Sequence, residues 1–294
     1  MASGDVSLTA ALRSNLLSLQ GTQKLLDQTQ LRLATGLKVN SALDNPSSFF
    51  AAQSLNNRGS DLSRLLDGMG QAVQVLKATD EGIKGMTSLL EQAQAIATEA
   101  RDALSADSSA DVTSFANAFQ EIIFQTVELA RDSGYRGTNL LVDASSLSDV
   151  RLTVNFAEDA SGTGTSANSL LEITGRDFAT TGTTDSGLSL GVNGTNSFSD
   201  VTAAQSAIDE IKGDLDTLRA AAAEFGANLN IIQTRLDFTQ SLINVLKEGA
   251  DKLTVADKNE EGAKLLSLQT TQQLGITSLS LASQAEQSIL RLFG

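Results

Sequence analysis

The chain contains no cysteine, no histidine and no tryptophan, and only one proline and one tyrosine among 294 residues. Without cysteine there are no disulfides and no thiolate nucleophiles. Without histidine, imidazole bases, Ser–His triads and most zinc and haem sites are excluded. Scarce aromatics argue against a large concave ligand pocket, and a single proline leaves helices seldom interrupted. No run of about 18 apolar residues occurs, so no membrane-spanning helix is expected. The N-terminus lacks a basic segment followed by an apolar run, so no ordinary signal peptide is read. Basic charge is also short: 21 Lys and Arg face 35 Asp and Glu, a net charge of −14. That balance argues against nucleic acid and anionic membranes as partners.

What the chain has is helical rhythm. From Leu62, steps of seven land on Met69, Leu76, Ile83, Leu90, Ala97 and Leu104, the seam of a long helix with one apolar stripe. The companion seam is expected four residues further on, at Leu66 and Val73, then at the polar Asp80, Thr87, Gln94 and Arg101. That phase implies a helix partly solvated at its far end. A second run from Ile208 through Ile211, Leu215, Leu218, Phe225, Ile232, Ile243 and Leu246 has the same rhythm with one polar member, Thr239. It reads as a long helix beside the first, and a shorter helix through Phe115, Phe119, Ile122 and Leu129 completes a bundle.

Both ends repeat the pattern, at Leu12, Leu19, Leu26 and Leu33, and at Leu268, Leu279 and Ile289. A narrow apolar stripe alone in water is marginal. These terminal helices therefore pair with each other or need neighbouring copies of the molecule, and the second is the sharper expectation. Asn45-Pro46 marks a helix start, because Asn caps and proline loses nothing in the first turn. From Asp159 to Asp200, 22 of 42 residues are Ser, Thr or Gly. Alternating runs at Val150–Phe156 and Leu170–Thr174 predict a small exposed strand-and-loop insertion, with a disordered linker as the plainer alternative.

Two motifs carry no chemistry. Asp257-x-Asn259-x-Glu261 starts like a calcium loop, but its last ligand position falls on Leu268, so a solvated helix start is expected. Gly162-x-Gly164 reads as a flexible turn. Asn193-Gly-Thr195 matches a glycosylation acceptor but reads as a surface turn. The Ser/Thr-rich middle is a candidate for O-linked sugars.

The segment Arg32-Leu-Ala-Thr-Gly36-Leu37-Lys-Val-Asn40-Ser41-Ala-Leu-Asp44 resembles the N-terminal signature of bacterial flagellins. Asp67-Gly68 and Ala78-Thr-Asp-Glu-Gly82 are similar to that family's next block. Arg219-Ala-Ala-Ala-Ala-Glu-Phe-Gly-Ala-Asn228 and Leu281-Ala-Ser-Gln-Ala-Glu-Gln-Ser-Ile-Leu290 resemble its C-terminal half. The match covers roughly residues 1–145 and 200–294, in order.

The resemblance implies a mainly α protein, a long antiparallel helical rod built by both chain halves with a small β-rich insertion. The expected divisions are a filament-core helix at 1–44, rod at 45–145, surface-exposed insertion at 146–202, rod at 203–253 and a second filament-core helix at 254–294. It implies a subunit that self-polymerises into the flagellar filament for motility, with a hook–filament junction protein as the alternative. Neither is an enzyme, and no cofactor or metal is expected. Implied partners are other subunits, the flagellar cap, hook-associated junction proteins, an export chaperone and the type III export apparatus, with the product outside the cell.

Leu12, Leu19, Leu26, Leu33, Leu268, Leu279 and Ile289 are the expected assembly residues. Met69, Leu76, Ile83, Leu90, Ile211, Leu218, Phe225 and Ile232 are the expected rod core.

The chain departs from the family pattern in places. It has Arg64-Leu-Leu-Asp67 where Arg-Asn-Ala-Asn is frequent, and Asp251-Lys-Leu253 where Ser-Arg-Ile is frequent. In Leu89-Leu-Glu-Gln92-Ala-Gln94, glutamines replace arginines found in flagellins sensed by the animal innate receptor. Weak recognition is expected, because charge-assisted contacts are lost.

Overall fold

The computed structural model describes residues 10–107, 112–142, 151–157, 169–178 and 198–293. Its elements in chain order are α1 (Ala10–Thr35), α2 (Pro46–Ala106), α3 (Thr113–Asp132), β1 (Arg151–Asn155), β2 (Leu170–Thr174), α4 (Val201–Thr254) and α5 (Lys258–Phe293). At about 1.5 Å per residue, the 61-residue α2 runs about 90 Å and the 54-residue α4 about 80 Å. These two helices run in opposite directions. The Arg101 guanidinium donates to Gln205 at 3.2 Å, and Leu55 lies against Gly249.

Helix starts follow local chemistry. Asn45 Oδ1 accepts the Ser48 amide at 3.1 Å, Asp200 Oδ1 accepts from Ala203 at 2.7 Å, and Asp257 Oδ1 accepts from Asn259 at 2.8 Å. Each short side chain satisfies an amide that its helix leaves open. At the other end of α1, Gly36 has φ 71° and donates its amide to Arg32 O at 2.8 Å. This left-handed step suits glycine and turns the chain out of the helix.

The chain forms two compact units, Ser60–Ile243 and Met1–Gly59 with Asn244–Gly294. In the first, Met69, Leu76, Ile83, Leu90, Ile211, Leu218, Phe225 and Ile232 are all buried in one apolar cluster with Phe119 and Ile123 of α3.

Beyond Val73, which is buried, the companion seam of α2 is not where the rhythm placed it. Ala72, Thr79, Met86, Ala93 and Ala100 are buried, three residues after Met69, Leu76, Ile83, Leu90 and Ala97. Asp80, Thr87, Gln94 and Arg101 are only half-buried. The true seam is rich in alanine, which carries little hydrophobic signal yet lets helices approach closely. Two glycines on the same helix serve this approach. A Cβ at Gly82 would lie 2.6 Å from Ser133 Cβ, and one at Gly85 2.6 Å from Leu129 Cδ2. At the polar seam position, Thr79 donates its hydroxyl to Val75 O at 3.0 Å, so its burial leaves no unmet donor.

The insertion also differs from expectation. β1 and β2 pair antiparallel, with Leu152 opposite Ile173 and Val154 opposite Leu171. Leu152, Val154, Leu171 and Ile173 alternate inward and pack on the cluster, as do Phe178 and Phe198. One face of the hairpin is therefore core rather than surface. After β2 the Arg176 and Phe178 amides donate to Leu140 O and Leu141 O, laying this segment along the end of the α3 connection. Phe198 meets Phe119 edge to face, ring centroids 5.4 Å apart. The Arg235 guanidinium stands 5.2 Å from the Phe156 ring centre, a further tie between insertion and α4. Residues 158–168 and 179–197, which include Gly162, Gly164 and Asn193, lie outside the described residues, as does Val150.

Candidate assembly surface

The second unit is built on α1 and α5. Gln272 Nε2 donates to Gln23 Oε1 at 2.6 Å, Arg32 reaches Glu261 at 3.3 Å, and Leu19 packs beside Gly275. Rising numbers on α1 meet falling numbers on α5, so the pair is antiparallel. Glycine at 275 is part of the fit: a Cβ there would stand 3.1 Å from Leu19 Cδ2. An open notch of about 270 Å³ remains at this point, lined by Leu19, Thr22, Thr271, Gly275 and Ser278. Thr22 and Thr271 bond their hydroxyls to the carbonyls of Ser18 and Ser267, so neither needs a partner from across the pair.

At about 100° per residue, Leu19, Leu26 and Leu33 share one side of α1 with Thr22 and Thr29. Leu26, Thr22 and Thr29 are buried, Leu26 to 5 % exposure, while Leu19 and Leu33 are half-buried. On α5, Leu268 and Leu279 are half-buried on the side that carries Glu261, Gln272 and Gly275. The backbones of Leu12 and Ile289 belong to α1 and α5, and their side chains lie outside the described residues.

A second apolar stripe was missed in the heptad reading. Leu17, Leu25 and Leu31 lie on the outer side of α1, Leu17 being 67 % exposed. Leu266, Leu274 and Leu281 lie opposite the seam of α5, Leu274 being 66 % exposed. Burying a leucine stabilises by roughly 1.5–3 kcal/mol, so six left in water are a substantial unrealised gain. The signal was present in the sequence as extra leucines out of phase with the sevens. Once one seam is chosen, such residues read as ordinary exposed leucines.

The signature residues gather at the joint between α1 and α5. Leu37 pairs in an isolated antiparallel bridge with Val255. The amides of Lys38 and Val39 donate to Thr254 O at 2.6 and 3.2 Å, and Ala256 donates to Gly36 O at 2.9 Å. Beyond it, Asp44 Oδ2 accepts the amides of Asn40 and Ser41, both at 3.0 Å. Asn40 Nδ2 donates to Thr35 Oγ1 at 3.1 Å. These bonds, the Ser41 amide first and the Asn40 amide next, hold the exposed Asp44 carboxyl below its ordinary pKa.

Glu261 is 4 % exposed and Arg32 partly exposed. Glu261 Oε1 receives Arg32, with Lys264 at 3.5 Å, while Oε2 is buried without a hydrogen-bond partner. This long-range pair links residues 229 positions apart, which explains why local spacing did not reveal it. Asp257 and Asn259 are occupied as a helix cap. Among the described residues there is no group of acidic residues fit to hold a metal, and no helix long and apolar enough to cross a membrane. In the first unit Leu89 and Gln94 are half-buried, and exposed Gln92 donates its amide to Ser88 O at 3.2 Å.

Comparison with known proteins agrees with this layout. Residues 6–146 match the bacterial flagellin N-terminal helical region, and residues 206–293 match the bacterial flagellin C-terminal helical region. Flagellin FljM of Caulobacter vibrioides is 28% identical over 293 residues, covering 100% of both chains. A flagellin of Brucella melitensis biotype 1 is 28% identical over 287 residues, 95% of each. Flagellin C of Rhizobium meliloti is 26% identical over 96% of this chain and 97% of its own.

Proposed function

This chain belongs to the bacterial flagellin family and is a structural subunit of the flagellar filament rather than an enzyme, and we propose that the α1–α5 pair is the surface on which successive copies stack. The observation that carries the reading is the two-sided apolar character of that pair. Leu19, Leu26, Leu33, Leu268 and Leu279 build the pair, and Leu12 and Ile289 extend its two helices. The outer stripe of Leu17, Leu25, Leu31, Leu266, Leu274 and Leu281 meets neighbouring subunits. A helix pair that satisfied itself would need only the inner seam. A pair with both sides apolar needs copies around it, and a contact that does not close on itself repeats into a filament.

The joint at Gly36–Asp44 ties the end of α1 to the link between α4 and α5, so it supports the pair without touching a ligand. The same reading sends the chain out through the flagellar type III apparatus with an export chaperone, to join an extracellular filament between hook-associated junction proteins and the cap. Absence of cysteine suits a chain that passes through a narrow channel unfolded. The division at 1–44, 45–145, 146–202, 203–253 and 254–294 separates assembly helices from the remainder. The full-length flagellin relatives favour the filament subunit over the junction protein. At Gln92 and Gln94 the family's arginines are missing, so a binding titration with the innate receptor should give weak recognition. Full-strength binding there would contradict this.

The assembly reading is tested by electron microscopy of heat-dissociated protein cooled in sulfate, which favours apolar burial. Long uniform filaments are expected. Soluble monomers, with and without short filament seeds, would overturn it.

A further inference from the structure

The turn at Ser41–Asp44 displays an apolar side chain to water. Leu43 is 96 % exposed. Its neighbours are held on every side: Asp44 donates its amide to Ser41 O at 3.1 Å, and the Asp44 carboxylate takes the Asn40 and Ser41 amides. Ser41 Oγ accepts the Leu43 amide itself at 3.3 Å. The turn is anchored on one side by the joint with Thr254 and on the other by the Asn45 cap of α2. An unconstrained loop would fold a leucine back onto the nearest apolar surface. Here the backbone bonds hold it out, and the cost of ordering it is met before any partner arrives.

We propose that Leu43 is a preformed knob that seats in a neighbouring copy of this chain. The inference rests on the assembly reading above. Leu43 belongs to the same compact unit as the outer stripes of α1 and α5, the unit to which the assembly reading assigns self-association. A second copy is the occupant because a leucine offers no charge or hydrogen bond to select another class of partner, and the filament supplies a neighbour at every subunit.

The chain has no cysteine, so Leu43→Cys carries a single thiol. Its alkylation should be at least about ten-fold slower in filaments than in monomers. A benzophenone attached to it should cross-link one copy to another only after assembly. Leu43→Ser, which removes the knob without touching the turn, should raise the critical concentration for polymerisation about ten-fold and leave the monomer's unfolding midpoint unmoved. A thiol equally reactive in filaments, or a critical concentration unchanged by the serine, overturns the knob while filaments still form. Failure of the unaltered chain to form filaments would overturn the assembly reading, and the knob with it.

Discussion

At the residue scale the joint is where single side chains matter most. Asp44 accepts two backbone amides and so has a lowered pKa. A folded pKa below the unfolded one gives a contribution that is complete above the ordinary carboxylate value of 3.8. It is lost as pH falls through the lowered folded value. Amide exchange at Asn40 and Ser41, corrected for the intrinsic pH dependence, should therefore be flat from pH 7 to 5 and lose protection below about 4. Protection that stays unchanged however far the pH is lowered would contradict the carboxylate's role. Arg32→Met should be costlier, because it leaves the buried Glu261 carboxylate with only the longer Lys264 contact. A loss of about 2 kcal/mol is expected, reduced from the fully buried case by the partial exposure of Arg32. Exchange protection at Val39 and Ala256 measures it.

At the element scale, glycines on α2 separate close packing from helix propensity. Gly82→Ala places a methyl against Ser133 and Leu141, and should cost about 1–2 kcal/mol despite the propensity gained. Gly70→Ala meets nothing within 4 Å and should stabilise by up to about 1 kcal/mol. Chemical denaturation of both variants checks the opposite signs.

The same helix shows what was legible in advance. Met69, Leu76, Ile83 and Leu90 announced themselves because large apolar residues at seven-residue steps have one helical explanation. The companion seam did not, because Ala93, Ala100 and Thr79 are unremarkable by composition and are buried only through what α3 and α4 bring to them. Asn45-Pro46 was legible because capping is decided within four residues. The Arg32–Glu261 pair was not, since nothing local distinguishes Glu261 from the exposed Glu260 beside it. The β-hairpin was visible in its alternation, while the burial of its inner face depends on where the long helices stand.

At the scale of the whole molecule, charge is divided unevenly between the two units. The terminal unit carries ten Lys and Arg against nine Asp and Glu, and the unit Ser60–Ile243 carries 11 against 26. The unit Ser60–Ile243 therefore carries −15 and the terminal unit +1. In the proposed assembly, polymerisation concentrates that negative charge along a filament while the near-neutral unit supplies the apolar contact. Raising NaCl from about 10 to 150 mM shortens the screening length from roughly 30 to 8 Å, and should lower the critical concentration. A critical concentration indifferent to salt would mean the acidic unit opposes nothing.

The central claim is that α1 and α5 hold each other with one side and neighbouring subunits with the other. The most direct measurement is the critical concentration of Leu274→Asp beside that of the unaltered chain, with thermal unfolding of both monomers. The outer stripe predicts no filaments from the variant at concentrations where the unaltered chain polymerises fully, and the same unfolding midpoint for both. Filaments from the variant at an unchanged critical concentration would contradict it.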